Sequence, residues 1–195
     1  LGAVPVDVEA AGIDALATGG HKWLMGPMGA GFLYLSDRLQ HALRPARTGW
    51  LSVERPMEMR NYEQPWLGTA AYYETGTRNM IGISGLNASL ELLLETGRDR
   101  IESSIRSLTQ RAIDRIQEMN GVRLISPEDP GLRAGIVTFR LESGEVPDPL
   151  AEQLAGEGIH FSIRDGMIRI SPHFYNLDEE VNRFFDRFAA LRSDV

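Results

Sequence analysis

The sequence predicts an α/β protein in two parts: the remnant of a covered sheet with one helix, followed by a small α+β unit. Three observations predict it. The continuous apolar run Phe32, Leu33, Tyr34 and Leu35, flanked by glycine, suits a strand buried inside a sheet covered on both faces. Ile101, Ile105, Leu108, Ala112, Ile116 and Met119 recur at steps of three and four, which is one face of a 3.6-residue helix. Asp165-Gly166 lies between two apolar runs and is a strong hairpin dipeptide. The division is expected near residue 96, giving a first part over 1–96 and a second over 97–195.

In chain order, Val4, Val6 and Val8 alternate with Pro5 and Asp7, and Ile13 to Leu16 adds a second short apolar run; both suit short strands or strand ends. The stronger strand spans residues 29–36. A sheet this apolar needs layers on both faces, and the early chain offers few helices, so part of the first domain is expected to lie outside these residues. Residues 45–78 are irregular, punctuated by Pro45, Gly49, Pro56, Pro65, Gly68 and Gly76. A loop of that length in a compact domain is functional or packed on another subunit. Residues 80–96 form a helix whose wide apolar face predicts burial. The helix after Gly97 carries Arg106, Arg111, Asp114 and Arg115 on its opposite, solvated face. Strands follow at 122–125 and 135–141, a short helix at 149–155, and a hairpin of 159–164 with 167–171. Asn176 caps a final helix, with Glu179 three residues on as the partner of a capping box. Val181, Phe184, Phe185, Phe188 and Leu191 are its buried stripe.

Composition removes several classes. With no cysteine among 195 residues, a disulfide scaffold, a Cys-ligated metal site and a Cys nucleophile within these residues are excluded. A formal charge of −7 without a long basic run argues against nucleic acid or an anionic membrane surface as partner. No apolar run approaches the ~20 residues that span a bilayer, and the start does not read as a signal peptide. A soluble cytoplasmic protein is the resulting expectation. The four histidines, at 21, 41, 160 and 173, lack the i, i+4 spacing of a helical metal-ligand pair, so metal-dependent hydrolysis gains little support.

The basic residues are nineteen arginines and a single lysine, Lys22. Lys22 falls in GGHKWLMGPMGAGF, residues 19–32, between a strand end and a glycine-rich turn. Apolar neighbours on both sides are expected to make its charge costly to desolvate. Such surroundings favour the neutral amine, the form that adds to a carbonyl, whereas arginine stays protonated. A surface lysine in a turn is the competing reading. Gly26, Gly29 and Gly31 match neither the dinucleotide nor the P-loop fingerprint and instead let the backbone approach something closely.

The run GGHKWLMGPMGAGFLYLSDRL resembles the cofactor-lysine segment of the class V aminotransferase family of pyridoxal-phosphate enzymes, in the branch with selenocysteine lyases, cysteine desulfurases and isopenicillin-N epimerase-like proteins. YETGTRN, residues 73–79, resembles the family's F-E-x-G-T turn, and GMIRISPHFYNLDEEV, residues 166–181, its R-x-S-x-x-x-Y-N segment. The resemblance covers essentially this whole chain but only the C-terminal half of a family member. It implies the C-terminal part of a fold-type I transferase, with the cofactor pyridoxal 5'-phosphate and an amino-acid substrate. Lys22 would form the Schiff base and His21 would line the cofactor. Gly76 and Thr77 would reach the phosphate of the partner subunit's cofactor, making a homodimer with a shared site. Arg169 would grip the substrate carboxylate. From the residues alone, capping of the following helix is the preferred reading of Thr77, and Arg164 is as good a carboxylate ligand as Arg169.

The family's Asp for the pyridinium nitrogen, its stacking aromatic and its glycine-rich phosphate loop would all precede Leu1. These 195 residues are therefore expected to be a partial chain, inactive alone, whose exposed half-domain surface drives association. With no cysteine in residues 158–169 and a tight hairpin at Asp165-Gly166, a desulfurase using its own persulfide cysteine is disfavoured. Transamination, epimerisation and β-elimination remain open. The alternative in another class is a non-catalytic split or degenerate homologue acting as a structural or regulatory subunit.

Overall fold

The computed structural model describes residues 1–43, 47–144, 146 and 148–193. Pro45, counted above among the loop's punctuation, lies outside them. The chain divides into two compact units: Leu1 with residues 6–95, and residues 2–5 with 96–195.

The first unit holds an antiparallel pair, β1 (Ala15–Gly19) and β2 (Gly31–Leu35), with Ala15 opposite Leu35 and Gly19 opposite Gly31. The alternating valines ahead of β1 form no strand. Asp7 Oδ1 accepts the N–H groups of Glu9 and Ala10, both at 3.0 Å, and this side-chain turn bends the backbone away from extension. A short helix, α1 (Asp37–Ala42), follows β2, capped by the Ser36 hydroxyl; its six residues are too few to show a periodic pattern. Residues 47–79 are irregular but for a 3₁₀ turn at Ala70–Tyr73 and a bridge between Val53 and Trp66. Helix α2 (Met80–Thr96) closes the unit.

Burial in this unit is thinner than its apolar sequence predicts. Phe32 and Leu33 of β2 are exposed, and α2 buries only Gly82, Leu86 and Leu93. The cause is geometric: among the described residues the sheet has two strands, which leaves its apolar positions uncovered.

The second unit is built on a four-stranded antiparallel sheet in the order β3-β4-β6-β5, from β3 (Val122–Leu124), β4 (Val137–Leu141), β5 (Ser162–Arg164) and β6 (Met167–Ile170). Its helices are α3 (Arg98–Gln117), α4 (Asp148–Gly156) and α5 (Asp178–Ser193). Val137, Phe139 and Leu141 alternate inward from β4 and meet Ile105-side residues Leu108, Ala112 and Ile116 of α3 together with the α5 phenylalanines. Phe139 sits edge-on to Phe188 with ring centroids 5.7 Å apart. Asp165 and Gly166 both take positive φ, 49° and 72°, which is the backbone a two-residue type I′ hairpin requires.

Two expectations for this unit need correction. The helix starts at Asp178 with Leu177 at the cap, and the acid that reaches back is Glu180, whose Oε2 accepts the Leu177 N–H at 2.8 Å; Glu179 is one position too early to do so. The polar face of α3 is also not wholly solvated. Arg111 pairs with Asp178 and Arg115 with Asp186, so both guanidinium groups tie α3 to α5.

Candidate active site

Between β1 and β2 the chain makes a closed turn. The Gly20 N–H donates to Ala30 O at 2.7 Å, the Gly26 N–H to Gly20 O at 2.8 Å and the Met25 N–H to Lys22 O at 2.9 Å. Met25 is left-handed, with φ 55°, a conformation disfavoured for a residue with a Cβ. Helix α2 is the seat for this turn. A Cβ on Gly85 would stand 2.7 Å from the Pro27 ring, and a Cβ on Gly26 would stand 2.7 Å from Leu86 Cδ1, so small residues on both surfaces allow the approach. Ser89 Oγ donates to Met25 O at 3.0 Å, and Asn79 Nδ2 donates to Gly29 O at 3.3 Å.

Lys22 stands on this turn, exposed, with no carboxylate paired to it among the described residues. The expected apolar burial of its amine is not met within these residues: the neighbouring Leu24 is buried, but Lys22 points out of the turn. His21 beside it is exposed as well, and its ring lies back over Gly19.

The 73–79 segment is held from the other side. Ser52, fully buried, donates its hydroxyl to Tyr72 O at 2.8 Å and accepts the Gly49 N–H at 3.0 Å. A Cβ on Gly49 would lie 1.9 Å from Thr75 O, so the loop meets the turn where only glycine fits. Gly76 has open space where a side chain would be, and Thr77 is exposed with no partner for its hydroxyl among the described residues. The capping reading for Thr77 fails, because Asn79 Oδ1 accepts the Gly82 N–H at 3.0 Å and does that work for α2. Arg78 pairs with Glu74 across the turn.

In the second unit, Arg169 lies on β6 opposite Thr138 of β4 and Ser162 of β5, on the sheet face away from the buried Ile168. It lines a cleft of about 350 Å³ with His160, Ser162, Ser171, Glu180 and Arg183. No carboxylate of the described residues pairs with it. Arg164, the other candidate, sits exposed at the hairpin end of β5 and does not line that cleft.

Ser52, Asn79 and Ser89 escaped the sequence reading, and Gly49 entered it only as loop punctuation. Their roles depend on contacts across 20 to 64 residues, which no local pattern encodes. Only Asn79 carried a usable signal, as a favoured cap residue ahead of an apolar helical run.

An unpaired primary amine on a braced turn fits an aldehyde cofactor, and a glycine-threonine turn with open space and an unpartnered hydroxyl fits a phosphate. The fold is one seen in solved structures. The chain superposes with TM-score 0.85 on a lysine-to-alanine variant of C-DES that has glycine covalently linked to its pyridoxal-phosphate cofactor, at 24% identity over 96% of this chain and 49% of that one. The two share an α/β architecture over about half the length of that protein. The aminotransferase class-V family profile matches residues 1–184, and the chain belongs to that pyridoxal-phosphate-dependent family. It is 30% identical to the uncharacterized aminotransferase YcbU of Bacillus subtilis, over 97% of this chain and 48% of that protein. It is 29% identical to isopenicillin N epimerase of Streptomyces clavuligerus, over 99% of this chain and 51% of that protein. The chain thus spans about half the length of the curated relatives it matches. No helix among the described residues is long and apolar enough to cross a membrane.

Proposed function

We propose that these residues belong to an enzyme that transforms an amino acid on pyridoxal phosphate, of the aminotransferase, epimerase or β-lyase type, with Lys22 as the lysine that binds the cofactor. The observation that carries this reading is the placement of the only lysine, unpaired, on a turn that α2 braces through Gly85, Leu86 and Ser89. Bound there, pyridoxal phosphate supplies an electrophilic carbon and an electron sink for the α-carbanion.

The chain's own residues divide the remaining work. Lys22 would hold the cofactor through its side-chain amine, and its Nζ, once freed by substrate, would take the α-proton as general base. His21 lines the cofactor. The Gly76 N–H and Thr77 hydroxyl hold phosphate oxygens, and Arg169 binds the substrate carboxylate through its planar fork. A cytoplasmic homodimer whose subunits share the site is part of the proposal. The exposed Trp50, Tyr62 and Trp66 in the loop leading to the 73–79 turn support a second subunit there. A persulfide cysteine supplied by these residues is not part of it, since they contain none.

Reductive trapping tests the reading directly. Borohydride treatment of the protein with pyridoxal phosphate should attach the cofactor at Lys22, located by peptide mass spectrometry, and Lys22→Arg should abolish both the attachment and the visible absorption. Attachment confined to the α-amino group, or absorption surviving in Lys22→Arg, would overturn it.

A further inference from the structure

The Lys22 turn ends in a residue that should not be there on backbone grounds. Met25 is held left-handed at φ 55° although its Cβ disfavours that conformation. Its N–H is committed to Lys22 O at 2.9 Å, which closes the turn carrying the lysine. Its carbonyl is taken from outside the turn, by Ser89 Oγ on α2 at 3.0 Å. Ser89 also stands 3.1 Å from Gly85 O, its own helical carbonyl four residues back. A hydroxyl has one hydrogen to give, so the bond to Met25 competes with a local one.

We propose that Ser89 is a positioning residue for Lys22, acting through the Met25 carbonyl to hold the left-handed kink that closes the lysine turn. The proposal rests on the reading of Lys22 as the cofactor lysine. Gly85 and Leu86 set the distance of the turn from α2 by packing against Pro27, Gly20 and Gly26. Packing of this kind is tolerant of small rotations. The Ser89 hydrogen bond is directional and fixes the peptide plane after Met25, hence the orientation of the turn on which the amine is presented.

Ser89→Ala in the full chain should raise backbone amide exchange at Met25 and Gly26 by about 3- to 10-fold, the range of one lost hydrogen bond. Borohydride-trapped attachment of pyridoxal phosphate at Lys22 should slow by a similar factor. Ser89→Thr keeps the hydroxyl and should restore both. Met25→Gly removes the Cβ penalty on the left-handed backbone, so in that background Ser89→Ala should change exchange and attachment by less than about twofold. Exchange at Met25 and Gly26 that ignores Ser89→Ala, or responds equally with Met25→Gly present, overturns the proposal. If exchange responds as expected but the unsubstituted protein never attaches the cofactor at Lys22, the functional reading fails while the hold of Ser89 on the turn stands.

Discussion

Glu180 shows how one side chain links a helix start to pH. Its carboxylate accepts the Leu177 N–H at 2.8 Å and the Asn176 side-chain amide at 3.1 Å. Those bonds, the backbone one foremost, hold its pKa below the ordinary 4.5. A carboxylate whose pKa is lowered by folding stabilises the fold above that ordinary value and loses the contribution as pH falls through the depressed one. Urea midpoints of Glu180→Gln and the parent should therefore differ most above pH 4.5 and converge below it. A difference that stays constant with pH would show that the charge is not what the cap uses. At Gly49 the constraint is volume. A Cβ there meets Thr75 O at 1.9 Å, whereas one on Gly68 meets nothing within 4 Å. Gly49→Ala should cost about 1–3 kcal/mol as an overpacking change and, on the proposed function, weaken phosphate binding at the adjacent Gly76-Thr77 turn. Gly68→Ala should stay within about 0.5 kcal/mol, as surface changes do; equal costs at the two sites in denaturant titrations would contradict the close approach.

At the scale of elements, what the sequence made legible follows from where each pattern is satisfied. The α3 stripe was readable because its partners, β4 and α5, lie in the same unit: Ile105, Ala112 and Ile116 are all essentially inaccessible. The Asp165-Gly166 hairpin was readable because its turn chemistry is local. The strand expected from Val4, Val6 and Val8 failed because the Asp7 side chain offers the backbone a competing turn. Burial of Phe32 and of Ile81 failed for another reason, since apolar sequence reports what must be covered and not whether these residues supply the cover. The site divides the same way. The candidates Lys22, Gly76, Thr77 and Arg169 of the proposed function could be named from their motifs, but Ser52 and Ser89 in the first unit act through long-range contacts. The core that holds Arg169's sheet is centred on Phe139, whose ring meets Phe184, Phe185 and Phe188. Phe139→Ala should cost about 3–5 kcal/mol, read as a lowered denaturation midpoint of the second unit. A loss below about 1 kcal/mol would mean that the aromatic cluster is not the centre of that core.

Across the whole molecule the two units present different surfaces. The second buries its phenylalanines in one continuous cluster. The first leaves large apolar side chains in water, among them Met57 at 78%, Tyr62 at 90%, Ile81 at 89% and Leu94 at 67% exposure. Single exposed apolar residues are ordinary, but this many on one unit of a two-stranded sheet exceed what a soluble monomer usually shows. The net charge of −7 opposes association only weakly, because salt screens it within ~8 Å at physiological ionic strength. Burying apolar surface returns about 25 cal/mol per Å², so contact between copies should win. The 195-residue chain is therefore expected to sediment as an oligomer whose size grows with concentration, and to bind a hydrophobic dye while its second unit remains folded. Ile81→Glu combined with Leu94→Glu, each exposed on α2, should shift the distribution towards monomer and reduce dye binding without lowering the denaturation midpoint of the second unit. A parent chain that stays monomeric and dye-free at all concentrations would show that the exposed side chains of the first unit are covered from within.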